Sequence, residues 1–306
     1  MSTLFKKPVI CSEYINIYSP SADVYNGPDT ESFTHGQEYR EWIPNDFTVL
    51  HSENVWHIFG ITHPRPPLFT NAFDVPKNCN VHEAEYQLFH CTADGKSFAD
   101  VMHPGAFKDE PKILFPDERL GEQHEIWAPH IDKIGDDHIM IYSPRVMRYA
   151  KSKDLYSWQS GFSFFDCKAA DARDPFLFRD DDGSKYLLYC EGCTVKYRKT
   201  YDMINWSESV ILQTNPFRGA YSESPYMLKH DGIYYLMWCI YDGKGGVYDN
   251  RAFVFASPSV DGFEGTAPIT MLEAHAPEFV ANGNDTYILS VFHPSNGISA
   301  AKIMWK

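Results

Sequence analysis

The chain has 306 residues, 43% of them hydrophobic and 15% aromatic, which is enough apolar material for a large core and argues against disorder. Its 27 basic and 41 acidic residues give a net charge of −14 that no basic cluster offsets, so a nucleic-acid partner is not expected. The 20 prolines and 19 glycines favour short strands and turns over long helices.

The first residues, MSTLFKKPVICSEYINIY, contain neither an apolar segment nor a cleavage site typical of a signal peptide. No run approaches the roughly 20 apolar residues of a membrane span, and an acidic surface repels anionic lipids, so no membrane partner is expected. The seven cysteines are scattered, and the C-x-x-C pair Cys190 and Cys193 lacks a second pair at zinc spacing. We therefore expect reduced thiols in a cytoplasmic protein that requires no cofactor.

One pattern occurs five times: a short apolar strand, a polar turn rich in Asn, Asp or Gly, and a second strand that carries aromatic residues. The five copies begin at Asp46, Trp127, Asp174, Glu223 and His275. The last three intervals are 47, 49 and 52 residues, which fits one four-stranded antiparallel sheet per copy. The first interval is 81 residues because of a proline-containing insertion over about 63–83, interpreted as an irregular loop.

After each of the first four copies, a further strand leads into a small turn motif that ends in an aromatic residue. These motifs are TADGKSF (92–98), SKDLYSW (152–158), TYDMINW (200–206) and SPSVDGF (257–263). We expect the terminal ring of each motif to fill the outer layer between neighbouring sheets.

Five such sheets predict an all-β fold, a five-bladed β-propeller with four antiparallel strands in each blade. The last copy has only three strands before Lys306, so the segment 8–18 is predicted to supply the missing outer strand and close the ring. Since the repeats use nearly the whole chain, residues 1–306 are expected to form a single domain. A β-sandwich with a second β-rich domain is the alternative, and α/β folds rank lower because long amphipathic patterns are absent.

The first strand of each propeller blade lines the central channel, so the residues that open the copies are expected to face it. Three of them are acids, Asp46, Asp174 and Glu223, which we assign to the same repeat position on different blades. An acid beside an apolar strand is costly to desolvate without a function, although Asp and Glu also cap strands and turns. Converging carboxylates suit glycoside hydrolysis, in which one protonates the leaving oxygen and another activates water or attacks the anomeric carbon. A third can raise the pKa of the acid by repulsion.

Several segments resemble the signature blocks of five-bladed propeller glycosidases: NDF (45–47), WAPHI (127–131), ARDPFLFRDDDGSKYLLY (172–189), SESPYMLKHDGIYYLMW (222–238) and HAPEF (275–279). These enzymes include glycoside hydrolase family 43 (arabinofuranosidases, arabinanases and xylosidases), the fructosidases of families 32 and 68, and family 117. The resemblance covers about residues 42–300 and keeps the order of Asp in blade 1, Asp in blade 3 and Glu in blade 4.

The resemblance implies a role for each acid. Asp46 would be the general base, as in family 43, or the nucleophile, as in family 32. Asp174 would stabilise the transition state and modulate the pKa of the general acid, Glu223. Arg173 completes an Arg-Asp-Pro triplet that is similar to the fructosidases, whereas the Glu-Ser-Pro of blade 4 is closer to the Glu-Gly-Pro of family 43. The blade-1 Asn-Asp-Phe departs from the fructosidase Asn-Asp-Pro, so the sugar and the stereochemical outcome stay open.

Four further residues are candidates for sugar binding. Trp127 could stack on a sugar face or belong to the core, and His130 could face the pocket or cap a strand. Arg173 is a candidate from its triplet. His275 resembles the central His of some arabinanases and could bind the sugar, or a structural metal or water on the propeller axis. No residue is assigned as an obligatory metal ligand.

We therefore expect an exo-acting glycoside hydrolase with a small carbohydrate substrate, a furanoside, with arabinose ahead of fructose. An anhydrogalactosidase-type enzyme of the same fold is a further alternative. Exo action would follow if the loop at 63–83 closes the funnel. A lectin-like propeller is the second hypothesis, disfavoured because all three acids are present, and a protein-interaction propeller is the third. The oligomeric state is not indicated by the sequence.

Overall fold

A computed structural model describes residues 5–65, 84–114, 116, 126–217, 219–241, 249–291 and 296–306. This part of the chain consists of strands and turns with a short 3-10 helix at Phe98–Val101, and it contains no α-helix. None of its helical segments has the length and apolarity needed to cross a membrane. The predicted insertion at 63–83 lies outside the described residues from 66 onward, and its first two residues are strand.

The chain begins with two short strands and a small hairpin. Four sheets of four strands and then three strands of a fifth sheet follow in the order of the sequence. The opening elements are β1 (Pro8–Ile10), β2 (Ile15–Tyr18), β3 (Asp23–Val24) and β4 (Glu38–Tyr39). Blade 1 is formed by β5 (Trp42–Ser52), β6 (Val55–Pro64), β7 (Gln87–Asp94) and β8 (Lys108–Ile113). Blade 2 is formed by β9 (Trp127–Ile134), β10 (Asp137–Ser143), β11 (Val146–Ser152) and β12 (Gln159–Asp166).

The remaining blades repeat this antiparallel order. Blade 3 is formed by β13 (Arg173–Arg179), β14 (Lys185–Glu191), β15 (Thr194–Thr200) and β16 (Val210–Thr214). Blade 4 is formed by β17 (Tyr221–His230), β18 (Ile233–Tyr241), β19 (Asp249–Ser257) and β20 (Thr270–Leu272). Blade 5 contains β21 (His275–Asn282), β22 (Asp285–Val291) and β23 (Ile298–Trp305). The five-bladed β-propeller is therefore confirmed.

The hairpins between the first and second strands form where the turn residues predict them. Glu53 and Asn54 have φ angles of 53° and 67°, and Asp231 and Gly232 have φ angles of 49° and 77°. Positive φ at both central residues matches the type I′ turn, whose twist suits an antiparallel hairpin. The Asn, Asp and Gly residues of these turns tolerate this conformation better than other residues do.

The ring closes through the N-terminal segment, as the sequence predicts. Both β1 and β2 pair antiparallel with β23, with Pro8 opposite Trp305 and Ile15 opposite Ala300. The backbones of Lys7 and Lys306 exchange two hydrogen bonds of 2.7 and 3.0 Å. The fourth strand of blade 5 thus comes from the start of the chain, and this pairing covers an edge that would otherwise be open.

The aromatic residues that end the four turn motifs lie between blades, which confirms their predicted role. Each one packs on side chains of the preceding blade in the ring: Phe98, Trp158, Trp206 and Phe263. Phe98, for example, is fully buried with its ring centre 5.1 Å from that of Tyr287 in blade 5. The high aromatic content of the chain is therefore used largely in packing between sheets.

Candidate active site

The first strand of every blade is interrupted at the same place beside the propeller axis. There, three residues of the first strand span the distance covered by two residues of the second, which is the pattern of a β-bulge. In blades 2 to 5 the residue after the first interrupted position has a positive φ and precedes a proline; these residues are Ala128 (44°), Asp174 (59°), Ser224 (49°) and Ala276 (45°). Bulges and such backbone strain occur often beside active sites, where they redirect side chains.

This register corrects the prediction that the three acids share one repeat position. Glu223 stands at the first position of the interruption, opposite Cys239, and Asp174 stands at the second. Asp46 stands at the third position, where blades 2 to 5 have proline. In a regular strand, neighbouring side chains point to opposite faces. The bulge removes that alternation, so acids from three successive positions can line the same space.

A pocket of about 480 Å³ lies at one end of the channel, a volume in the range of small-ligand sites. It brings together five of the predicted site residues: Asp46, Trp127, Arg173, Asp174 and Glu223. Its remaining lining residues are Asn45, Ile61, Glu85, Ala170, Asp171, Tyr221 and Tyr241. Blades 1 to 4 contribute to this pocket, and blade 5 contributes none of its described residues.

The two predicted histidines do not line this pocket. His130 lines a smaller axial cavity of about 30 Å³, enough for one or two water molecules, to which Asp46 and Asp174 also contribute. Its ring centre is 4.6 Å from that of Phe176. His275 is buried and lines neither cavity. Burial lowers the pKa of each imidazole to about 3, so both rings are neutral near pH 7. Their contact with sugar stays a prediction, and the larger pocket does not include them.

Ser224 connects two of the acids. Its hydroxyl donates a hydrogen bond of 2.6 Å to Oδ1 of Asp46, and its backbone N–H donates one of 2.9 Å to Oδ2 of Asp174. Asp46 is partly accessible from the pocket, whereas Asp174 and Glu223 are buried. One residue of blade 4 thus holds carboxylates from blades 1 and 3 in a common arrangement.

Arg173 lies between the other acids and is itself held by backbone groups. Its Nη2 donates to the carbonyl of Ser222 at 3.0 Å, and its Nη1 donates to the carbonyl of Asp171 at 3.2 Å. The guanidinium is 3.5 Å from Oε1 of Glu223 and 3.6 Å from Oδ2 of Asp174. Among the described residues that line the pocket, it is the only cation, so it balances part of the charge of the acids.

The electrostatics of the pocket favour proton retention by the acids. Burial raises the pKa of Asp46 well above its usual value, and the charges of Asp174 and Glu223 raise it further, while the hydrogen bond from Ser224 lowers it. Burial also raises the pKa of Asp174, against the opposing effects of Arg173 and the Ser224 N–H. Acids that repel one another and differ in their partners can take different protonation states, which is what acid–base catalysis requires.

Metal binding finds no support in the described part of the chain, where no group of three or more His, Cys, Asp or Glu residues could hold an ion. The suggested axial metal near His275 therefore remains without a ligand set there. Cys190 is buried in β14 and Cys193 is exposed in the following turn.

Several residues at the site are not among those predicted from the sequence. Tyr221 stands two residues before Glu223, a spacing that indicates the same face of a strand, and Tyr241 is its partner across the hairpin. Glu85 is 2% exposed and follows the insertion, in a stretch without any repeat pattern. Ser224, which lines the smaller axial cavity, enters the sequence reasoning only through the Glu-Ser-Pro motif. The two tyrosines were accessible to pattern reasoning, whereas Glu85 was not.

The sequence matches the family model Glycosyl hydrolases family 43 over residues 106–278. This match includes Asp174 and Glu223 but begins after Asp46. No curated protein sequence gives a significant match to the chain.

Solved structures with the same fold include three that act on arabinose-containing substrates by name. The exo-1,5-α-L-arabinanase from a bovine ruminal metagenomic library is 14% identical, with a TM-score of 0.59 and coverage of 86% of this chain and 92% of that one. The endo-arabinase from Bacteroides thetaiotaomicron VPI-5482 is 12% identical, with a TM-score of 0.60 and coverage of 86% and 95%. The catalytic domain of the Coprinopsis cinerea GH62 α-L-arabinofuranosidase is 14% identical, with a TM-score of 0.57 and coverage of 93% and 96%.

At these identities the structural similarities show the fold alone. The family match, in contrast, spans more than half of the chain and contains the pocket residues of blades 2 to 4. The chain therefore belongs to glycosyl hydrolase family 43 and is a glycoside hydrolase that acts on carbohydrate.

Proposed function

We propose that this protein is an exo-acting α-L-arabinofuranoside hydrolase in which Asp46 is the general base, Glu223 the general acid and Asp174 the residue that modulates the acid. The observation that carries the proposal is the convergence of these three carboxylates, from blades 1, 3 and 4, on one pocket of about 480 Å³. Most glycoside hydrolases use two carboxyl groups, one as acid and the other as base or nucleophile.

The raised pKa values of Asp46 and Asp174 support a proton shared within the carboxylate cluster. Mutual repulsion among acids in a confined space favours a state in which the cluster keeps a proton. In the proposal Glu223 carries that proton and delivers it to the leaving oxygen. Asp46 must be ionised to take a proton from water, and the Ser224 hydroxyl favours its ionised form. Asp174 accepts a hydrogen bond from the Ser224 N–H and lies 3.6 Å from Arg173.

The choice of sugar is supported by the pocket and by the relatives. Trp127, Tyr221 and Tyr241 offer aromatic faces on which a sugar ring can stack. Two arabinanases and an α-L-arabinofuranosidase share the fold, which favours arabinose. One of those arabinanases is an endo enzyme, so exo action rests on the predicted funnel closure by residues 63–83, most of which lie outside the described residues.

The β-fructofuranosidase alternative is retained because of one observation. Arg173 and Asp174 belong to an Arg-Asp-Pro triplet that resembles the triplet of the fructosidases. The Arg173 side chain lies 3.6 Å from Asp174 and 3.5 Å from Glu223. A substrate panel that includes fructofuranosides therefore belongs in the test.

The test is product analysis by NMR on aryl furanosides and pyranosides, which reports the sugar and the anomeric outcome together. On an aryl furanoside whose phenol is a very weak acid, Asp46→Asn, Asp174→Asn and Glu223→Gln are each expected to lower kcat/KM by about 10²–10⁴-fold. Asp136→Asn, at an exposed turn carboxylate of blade 2, is the matched control and should keep full activity. Retention of most activity by one site variant would remove that residue from the proposed set, and retention by all three would end the proposal. Sugar binding without any product would favour the lectin-like hypothesis.

Two further expectations stay proposals. We propose that residues 1–306 form one domain, supported by the single ring that the blades make with the N-terminal strands. We also propose a cytoplasmic location, supported by the thiols of Cys11, Cys91, Cys167, Cys190 and Cys193, which form no disulfide among the described residues. Localisation of a tagged chain in its native cell tests the latter.

A further inference from the structure

We propose that Ser224 is a positioning residue that orients the Asp46 carboxylate for catalysis and couples it to Asp174. This inference rests on the proposed function, in which Asp46 is the general base. Ser224 touches neither reacting atoms nor substrate in this role, because it acts through the two acids that it holds.

Ser224 contacts both acids at short distances. Its hydroxyl donates a hydrogen bond of 2.6 Å to Oδ1 of Asp46, and its backbone N–H donates one of 2.9 Å to Oδ2 of Asp174. Among the described residues, no other side chain or backbone group donates a hydrogen bond to the Asp46 carboxylate. Its Oδ2 is therefore available to accept a proton from water while Oδ1 is held in place.

The fold does not need a hydroxyl at position 224. Ser224 has a φ of 49°, and the equivalent residues of blades 2 and 5 are Ala128 at 44° and Ala276 at 45°. Alanine thus builds the same bulge twice in this chain without any polar side chain. The backbone of the bulge therefore does not depend on the Ser224 hydroxyl, whose only hydrogen bond within the described part of the chain goes to Asp46.

Serine and alanine carry the same backbone strain at these bulges, because a positive φ disfavours any residue that has a Cβ, and glycine avoids that cost. The strain is therefore common to blades with and without a hydroxyl. A glycine at position 224 would relieve the backbone and leave Asp46 without its donor, which makes it a useful test variant.

The charge of the site supports this role. Burial and the charges of Asp174 and Glu223 favour the protonated form of Asp46, which is useless as a base, whereas the hydrogen bond from Ser224 favours the ionised form. Loss of the hydroxyl therefore moves the titration of Asp46 to higher pH. The Ser224 hydroxyl therefore affects both the orientation of Asp46 and the pH range in which Asp46 can act as a base.

The experiment compares Ser224→Gly and Ser224→Ala by pH–rate profiles of kcat/KM and kcat on the substrate found in the aryl-glycoside panel. A hydrogen bond to a charged group contributes enough to shift the acid limb upward by about one pH unit in both variants. We expect kcat at neutral pH to fall roughly 10-fold, with KM within about twofold, because the base loses orientation and not substrate contact. Ala276→Gly is the matched control: it relieves the same strain in blade 5 and should leave both profiles unchanged.

Stability separates this role from a structural one. Ser224→Gly is expected to match or exceed the Tm of the unmodified protein, and Ser224→Ala to stay close to it, so the kinetic loss should not follow stability. Should one variant fold poorly, the other carries the test. If both Ser224 variants keep the pH profiles and kcat of the unmodified protein while Asp46→Asn is inactive, the inference about Ser224 is overturned and the role of Asp46 is not. Full activity in Asp46→Asn would instead overturn the assignment of Asp46 as the base.

Discussion

The stability of the propeller at acid pH should depend on the buried imidazole of His275. This residue opens β21 and is 1% exposed, and burial lowers its pKa to about 3. In the unfolded chain the pKa of a histidine is about 6.5. Below that pH, the His275 side chain takes up a proton when the protein unfolds. The stability that comes from the neutral, buried ring is fully present above about pH 6.5 and is lost as the pH falls toward about 3.

The size of this effect follows from proton linkage. Between pH 7.5 and pH 5, a shift from ~6.5 in the unfolded chain to about 3 in the fold removes about 2 kcal/mol from the free energy of unfolding. At pH 5 this free-energy change depends almost wholly on the pKa of His275 in the unfolded chain, because its pKa in the folded protein lies far below pH 5. Asp46, Asp174 and Glu278 act in the opposite direction, since their raised pKa values make the folded state bind protons more tightly.

A difference measurement isolates His275 from those acids. The free energy of unfolding of the unmodified protein and of His275→Asn is measured by denaturant titration at both pH values. The variant is less stable at neutral pH, and its deficit should shrink by about 2 kcal/mol at pH 5 because it no longer takes up that proton. Ser299→Ala, a buried and non-titrating change in the same blade, should show a deficit that does not vary with pH. If the deficit of His275→Asn is the same at both pH values, the buried ring of His275 does not contribute to the loss of stability at acid pH.

Three other expectations follow from the packing and the pocket. Phe98→Ala empties a fully buried site between blades 1 and 5 and should lower the free energy of unfolding by about 3–5 kcal/mol, measured by denaturant titration. Deletion of residues 1–18 uncovers the edge of β23 and should give aggregation in size-exclusion chromatography, whereas a soluble monomer of unchanged Tm would contradict the closure of the ring. Trp127→Ala should raise KM about 10-fold with little change in kcat if the ring stacks on sugar, and an unchanged KM would assign it to packing alone.

The fold was accessible from the sequence because each blade is a local unit. A hairpin needs a period of two in its strands and Asn, Asp or Gly in its turn, and both signals lie within about 20 residues of chain. The spacing of the copies then sets the number of blades. The role of segment 8–18 followed from counting strands, since a ring that lacks one outer strand has an open edge.

The detail of the site was less accessible because it depends on pairing across strands. The acids were aligned by residue type, but the register shows Glu223, Asp174 and Asp46 at three successive positions of a bulge. Neither the bulge nor the contact from Ser224 to Asp46, which are 178 residues apart in the chain, leaves a local signal. His275 illustrates the converse, because its repeat position predicts a channel-lining role while the described pocket has no contribution from blade 5.

The role of Glu223 as general acid requires that it gives a proton to the leaving oxygen, and one comparison of substrates detects that transfer. The kcat/KM of Glu223→Gln is measured on two aryl arabinofuranosides, one whose phenol is a very weak acid and one whose phenol is strongly acidic. A leaving group that departs without protonation does not need a general acid. Glu223→Gln should therefore lose about 10³-fold on the first substrate and at most about 10-fold on the second. An equal loss on both substrates would contradict the assignment of Glu223 as the acid.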